Sequence, residues 1–261
     1  MANDLEWHAA VDIIAPYIVR IATPRGTGTG FLVSHGKTNT IVGVATAAHV
    51  IDHSHYWEEP IRIDHAHSGE SLLVRHTQRA VFLDPKRDTA AILFEKGRLP
   101  FPIETLGLAP HKMYLKTGNE IGWLGFPTIS SELCFFGGRI SAWLQDERAY
   151  LVDGVAINGV SGGPAFFLAG NSVLVMGVVS AYMPNRATGE TLPGLGVIRD
   201  VSQFHELAPT FASLEAAKSE ETPPTAVPSS QSSGDPDGSV VAKRAPSSYE
   251  APFVKSREKS D

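Results

Sequence analysis

Cysteine is nearly missing from this chain: Cys134 is the single one among 261 residues. An intramolecular disulfide is therefore impossible, and a thiolate metal site would lack its second sulfur. We expect a fold held by packing alone, in a reducing compartment, the cytoplasm. Long apolar runs are missing as well, and none approaches the roughly 20 residues that a membrane-crossing helix requires. The opening Met1-Ala2-Asn3-Asp4-Leu5-Glu6 has no basic-then-apolar order, so neither a secretory leader nor a membrane is expected. Positive charge is in deficit, with 22 Lys and Arg against 28 Asp and Glu and a net charge of -6. Polyphosphate partners need clustered cations, so nucleic acid is not an expected partner.

What the chain does have is glycine, 24 residues of it, mostly before residue 200. Composition changes near residue 215. The last 47 residues hold 10 Ser and 6 Pro and few large apolar side chains. Such a segment buries too little surface to offset its ordering entropy, so 215–261 reads as a disordered Ser/Pro-rich tail. Its one apolar patch is Tyr249 to Val254. The expected domain is 1–214, and the spacing leaves no room for a further module after it.

Within 1–214, short β-branched and aromatic runs recur between Gly, Pro, Asn and Asp. Strands are expected at Tyr17–Ala22, Gly30–Ser34, Thr40–Ala45, Ile61–Asp64, Ser71–Arg75, Ala91–Phe94, Glu120–Leu124, Arg139–Leu144, Ala149–Val152, Ser172–Ser180 and Gly196–Arg199. This density predicts an all-β, antiparallel sandwich or barrel. Helical spacing is sparse: Leu5–Ala15, and Asp200–Leu214 with Asp200 as an acidic cap. A short turn starts at His49–Asp52.

Three segments carry chemistry. In Thr46-Ala47-Ala48-His49, an apolar strand ends in small residues that let an imidazole pack closely. In Asp84-Pro85-Lys86-Arg87-Asp88, a carboxylate precedes an apolar strand. Each alone reads as an ordinary core His or turn Asp. The third, Gly159-Val160-Ser161-Gly162-Gly163-Pro164, is more specific. It places a hydroxyl at a tight bend, and a glycine at 159 lets a backbone N–H face a reacting carbonyl oxygen.

The order His49, Asp88, Ser161 is that of the chymotrypsin-like triad. With Gly26 to Val33, Gly122 to Pro127, Gly138 to Ala142 and Gly177 to Ser180, it makes residues of about 20–200 resemble trypsin-like serine peptidases of the cysteine-poor bacterial type. The HtrA (Deg) peptidase domain is nearest in pattern, without its PDZ domain. The resemblance implies two six-stranded β-barrels, the first about 17–110 and the second about 118–200, with a crossover near Leu108–Thr117. It implies Ser161 as nucleophile, His49 as base and then acid, and Asp88 as the group that orients His49. The oxyanion hole would be the N–H groups of Gly159 and Ser161. The expected substrate is a polypeptide, with no cofactor; the oligomeric state stays open.

Two departures matter. Val160 stands where trypsin and chymotrypsin carry the Asp that pairs with a freed N-terminus, so no activating cleavage is expected. The pocket for the residue before the scissile bond involves Val155, Ala156, Ser180 and Tyr182. With Val155 six positions before Ser161, it suits small apolar side chains rather than Lys or Arg. The alternative reading is a catalytically idle peptidase fold used as a binding or scaffold module; esterase-like or self-cleaving acyl chemistry is a third.

Other signals are set aside. Gly36-Lys37-Thr38 would need a glycine at 31 for a phosphate loop, and that position is Phe31. Gly26–Gly30 opens no helix and is no dinucleotide fingerprint. His53, His55, His65 and His67 form two His-x-His pairs that strands would turn to one face, but their spacing matches no zinc motif, so an exposed polar loop is expected and metal is not. Cys134 reads as a small buried hydrophobe.

Overall fold

The structure, a computed structural model, describes residues 5–184 apart from 38, and 191–213 apart from 208 and 212; for 182–184 and 191–193 it describes the backbone only. The expected tail lies outside the described residues. The chain opens with helix α1 (Trp7–Ile14), continued by a 3-10 turn at Ala15–Tyr17. Then come β1 (Ile18–Thr23), β2 (Gly26–His35), β3 (Ile41–Thr46), α2 (Ala48–Tyr56), β4 (Ile61–His65), β5 (Ser71–Val74), β6 (Arg79–Asp84) and β7 (Thr89–Glu95). After a long connection follow β8 (Glu120–Gly125), β9 (Cys134–Leu144), β10 (Ala149–Asp153), β11 (Pro164–Ala169), β12 (Ser172–Pro184) and β13 (Thr191–Asp200). A 3-10 turn at Val201–Glu206 ends the order, and the Asp200 carboxylate accepts the Ser202 N–H at 2.9 Å, as its expected capping role requires.

The strands form two antiparallel sheets. β8 to β13 close a six-stranded barrel in the order β10-β13-β12-β11-β8-β9. The first sheet differs from the expected six-stranded barrel. It has seven strands, β5-β4-β1-β2-β3-β7-β6, and curls as a half-barrel with β5 and β6 at its edges. Closure depends on register at the last edge, which the apolar pattern of the strands does not encode.

Period-two alternation explains the cores. In β3 and β7, Val42, Val44, Ala90, Ile92 and Phe94 face the interior of the first sheet with Ile21, Leu32, Ile61 and Ile63. The interleaved Ala45, Ala91 and Leu93 face the other way, into a core that also holds Phe31, Trp123, Phe166 and Val178. The two sheets thus share one apolar layer. Phe204 of the last 3-10 turn seals it edge-on against Phe31, ring centres 6.5 Å apart. The connection between the sheets is tied down where Ala109 N–H donates to Val175 O at 2.7 Å and Val175 N–H to Gly107 O at 2.8 Å.

Two strands lay outside the expected set. β6 is an edge whose residues are nearly all half-buried, so it shows no alternation. β11 opens on Pro164 and has Ala165, Phe166 and Phe167 all buried. The turn expected at His49–Asp52 is a full helix, α2, anchored by buried Ala48, Ile51 and Ser54. His53 and His55 therefore lie on a helix rather than a strand or exposed loop. His65 is buried at the end of β4, bonded to Pro16 O at 2.8 Å and Ser68 Oγ at 3.0 Å. Among the described residues no group of three His, Cys, Asp or Glu is placed to hold a metal, and no helix is long and apolar enough to cross a membrane.

Ile92 is fully buried in the first core. Ile92→Ala is expected to cost about 2–5 kcal/mol of stability. It should appear as a lower urea midpoint at unchanged slope.

Candidate active site

His49 is the second residue of α2, directly after the β3 strand that ends at Thr46. Asp88 closes the turn between β6 and β7. It adopts φ of +50°, a left-handed conformation that Asp tolerates better than most residues. That turn brings its carboxylate onto His49 twice over. His49 Nδ1 lies 2.9 Å from both Asp88 oxygens, and the His49 backbone N–H donates to Oδ1 at 3.0 Å. A carboxylate only accepts, so Nδ1 carries the proton and Nε2 keeps its lone pair in the neutral ring. The His49 side chain is 49% exposed and that of Asp88 19%.

The electrostatics follow from this pairing. The Asp88 hydrogen bond pushes the His49 pKa above the ordinary histidine value; burial opposes it, and the charges of Asp88 and Asp52 reinforce it. Burial by itself would push Asp88 upward. The bond to His49, the imidazolium charge, the Ser180 hydroxyl and the His49 N–H together outweigh burial and hold Asp88 below the ordinary carboxylate value.

Ser161 comes from the other sheet, in the turn between β10 and β11. Gly159 and Gly162 both lie in the left-handed region, at φ of +91° and +89°. A Cβ on Gly159 would stand 2.3 Å from Phe126 O, and one on Gly162 2.0 Å from Thr29 O, so neither position admits a side chain. The carbonyls of this turn point into the protein. Thr128 N–H donates to Asn158 O at 2.8 Å, Gly163 N–H to Val160 O at 3.0 Å and Thr29 N–H to Ser161 O at 2.8 Å. Val160 N–H is taken by Ile157 O and Gly162 N–H by Val179 O. The N–H groups of Gly159 and Ser161 meet no acceptor among the described residues. The Ser161 hydroxyl donates to Ser180 O at 3.2 Å, and a bond to His49 Nε2 is not among its contacts.

Of the expected pocket residues, Val155 is 48% exposed and Ala156 half-buried beside Gly196. The Ser180 side chain departs from expectation. It is buried and its Oγ donates to Asp88 Oδ2 at 2.5 Å, so it steadies the carboxylate, and only its carbonyl faces Ser161. The side chain of Tyr182 lies outside the described residues. Val160 is fully buried in the shared core. Cys134 is half-buried at the start of β9.

Sequence reasoning passed over Thr29. Its hydroxyl donates to Gly159 O at 2.8 Å and accepts from Phe126 N–H at 3.0 Å. It lies in a glycine-rich strand, and no neighbour in sequence marks it out from the glycines around it.

A fold of this kind is found in solved proteases. The serine endoprotease from Yersinia pestis aligns with a TM-score of 0.59 and 19% identity, over 81% of this chain and 68% of that one. The Rv3671c protease of M. tuberculosis in its active form aligns with a TM-score of 0.55 and 24% identity, over 75% and 81%. Its inactive form gives 0.55 and 23%, over 75% and 89%. No curated protein matches the chain. The family model described as a trypsin-like peptidase domain matches residues 28–176. That match spans more than half of the sequence and contains His49, Asp88 and Ser161, and the chain belongs to the trypsin-like peptidase family.

Proposed function

We propose that the protein is a serine endopeptidase that cuts polypeptides through an acyl-enzyme. The observation that carries this is the convergence of three distant segments: an imidazole oriented by a half-buried carboxylate, and a serine in a turn where the N–H groups of Gly159 and Ser161 meet no acceptor among the described residues. In this reading His49 Nε2 takes the Ser161 proton as Oγ attacks the scissile carbonyl carbon. Asp88 holds the tautomer and stabilises the imidazolium, and the Gly159 and Ser161 N–H groups receive the oxyanion. Collapse of the tetrahedral intermediate passes the His49 proton to the leaving amine, and water then repeats the sequence to release the acid. In the resting structure Ser161 Oγ points to Ser180 O. It must turn to His49 for attack, as nucleophiles in unliganded sites often do. With Cys134 alone and no disulfide, a reducing compartment such as the cytoplasm is the setting we propose.

The resting Ser161–Ser180 bond is also the one observation that favours the second reading, an idle peptidase fold used as a scaffold. A fluorophosphonate separates them. The uncleaved protein should be modified at Ser161, located by mass spectrometry, and the modification should vanish in His49→Ala. A folded, uncleaved protein that takes no label supports the scaffold instead.

The titration of His49 gives a second test. The base works only when neutral, so kcat/KM should rise with pH through an inflexion above the ordinary histidine value. Asp88→Asn removes the carboxylate that raises His49. The inflexion should then move to lower pH while turnover falls on the order of 10⁴-fold. An inflexion that stays in place in Asp88→Asn rejects the assignment.

An apolar Val155 and Ala156 on the segment that leads to Ser161 would suit small or medium apolar side chains before the scissile bond. A peptide-library digest should be rich in these. A profile dominated by Arg or Lys would reject the pocket.

A further inference from the structure

Beneath the serine turn lies a hydroxyl that the triad reading leaves without a task. Thr29 of β2 is fully buried, and every polar atom it owns is engaged at the site. Its N–H donates to Ser161 O at 2.8 Å, and its carbonyl accepts from Thr46 Oγ at 2.7 Å. Its Oγ accepts the Phe126 N–H at 3.0 Å and donates to Gly159 O at 2.8 Å. A hydroxyl has one proton. Gly159 O has none to give, so that proton must point at Gly159, and the polarity of the chain Phe126 to Thr29 to Gly159 is fixed.

We propose that Thr29 is the positioning residue of the oxyanion hole: its hydroxyl holds the Gly159 carbonyl inward so that the N–H groups of Gly159 and Ser161 stay aimed at the reacting oxygen. The inference rests on the acyl-transfer reading above. Its physical basis is the sign of a carbonyl dipole. A peptide oxygen rotated toward the place where the oxyanion forms would repel the charge that the hole exists to stabilise. Four carbonyls in the turn have to be kept away from that place, those of residues 158 to 161. Thr29 holds two of them, Ser161 O through its backbone and Gly159 O through its side chain.

Gly159 makes the side-chain tie necessary. The missing Cβ that permits φ of +91° also leaves the adjoining peptides free to rotate, so the orientation has to be imposed from outside. Three of the four holds are backbone bonds, which a change of side chain short of proline leaves in place. The fourth is the Thr29 hydroxyl. The same residue leads to the base as well, because Thr46, bonded to the Thr29 carbonyl, ends the strand that runs into α2 and His49.

The test compares Thr29→Val, which keeps the shape and loses the hydroxyl, with Thr29→Ser, which keeps both bonds. The rate of Ser161 modification by a fluorophosphonate, whose phosphoryl oxygen occupies the hole, should fall on the order of 10²-fold in Thr29→Val. Thr29→Ser should stay near wild type, and the His49 inflexion of the pH profile should stay in place in both. A peptide aldehyde, which forms the tetrahedral oxyanion, should lose affinity in step with the rate, while KM changes little. Folded Thr29→Val modified at the wild-type rate overturns the proposal, and so does Thr29→Ser as slow as Thr29→Val. If Thr29→Val does not fold, Thr29→Ala carries the same expectation and the same refutation. Amide hydrogen exchange of residues 158–163 keeps the two readings distinct. If wild type takes no label, the peptidase reading fails. Faster exchange in the Thr29 variant then still supports the tie, and unchanged exchange overturns it.

Discussion

The site depends on one close approach, that of the Gly162 backbone to the strand carrying Thr29. A single carbon added at Gly162 would stand 2.0 Å from Thr29 O and 2.2 Å from Thr46 Oγ, and one added at Gly163 would stand 2.0 Å from Leu124 O. Only a chain without side chains at these positions lets the serine turn lie flat between the strand of Thr29 and that of Leu124. Once it does, Ser161 O meets Thr29 N–H, Gly162 N–H meets Val179 O, and Val179 N–H meets Gly163 O. The turn is thus stitched to β2 on one side and β12 on the other. The position of Ser161 and the orientation of the neighbouring N–H groups both inherit their precision from this contact.

A second joint between the sheets works by charge. Asp88 belongs to the first sheet and Ser180 to the second, and the hydroxyl of Ser180 donates to the carboxylate. Burial of a carboxylate favours its protonation, which would leave His49 without an acceptor for Nδ1–H. Three donors oppose that: His49 Nδ1, the His49 N–H and Ser180 Oγ. A carboxylate that accepts several charge-assisted bonds stays ionised even when partly desolvated. Its left-handed φ is tolerable for the same reason, since the bonds that aim its side chain also fix its backbone. Separating the two sheets would take the Ser180 donor from Asp88 and release the serine turn.

Much of this was legible in residues whose physical role is local. β-branched runs such as Ile41–Ala45 announce strands, and Gly-Val-Ser-Gly-Gly-Pro announces a turn that only glycines permit. Asp200 announces a cap. Features that depend on the partner surface were not legible. β11 hid because burial on both faces abolishes alternation. β6 hid because an edge strand is half-buried throughout. The first sheet was expected as a closed barrel of six strands, and whether β5 meets β6 is decided by register rather than by composition. α2 looked like a short turn because His53, Ser54 and His55 are polar, yet Ser54 is buried and the apolar Ile51 anchors the helix. Ser180 stands in sequence where the pocket is expected, yet its side chain turns onto Asp88. Thr29 is a small polar residue among glycines, and nothing in its neighbours in sequence signals a partner 130 positions away.

The resting contacts divide the work of the proposed reaction unequally between its two partners. His49 is committed: its Nδ1–H is spent on Asp88, so Nε2 is left as the acceptor whenever the ring is neutral. Ser161 is not committed. Its hydroxyl rests on Ser180 O at 3.2 Å, long for an O–H to carbonyl bond, and such a bond holds weakly. Exchanging it for Nε2 calls for a turn of the Ser161 side chain, on a backbone that the close glycine contacts hold. The costly part of the arrangement, ordering a carboxylate, an imidazole and two peptide N–H groups from separate sheets, is complete before substrate arrives. What remains for the substrate to shift is a rotor with a weak resting partner, and a peptide backbone lying across Ser180 would compete for that very carbonyl.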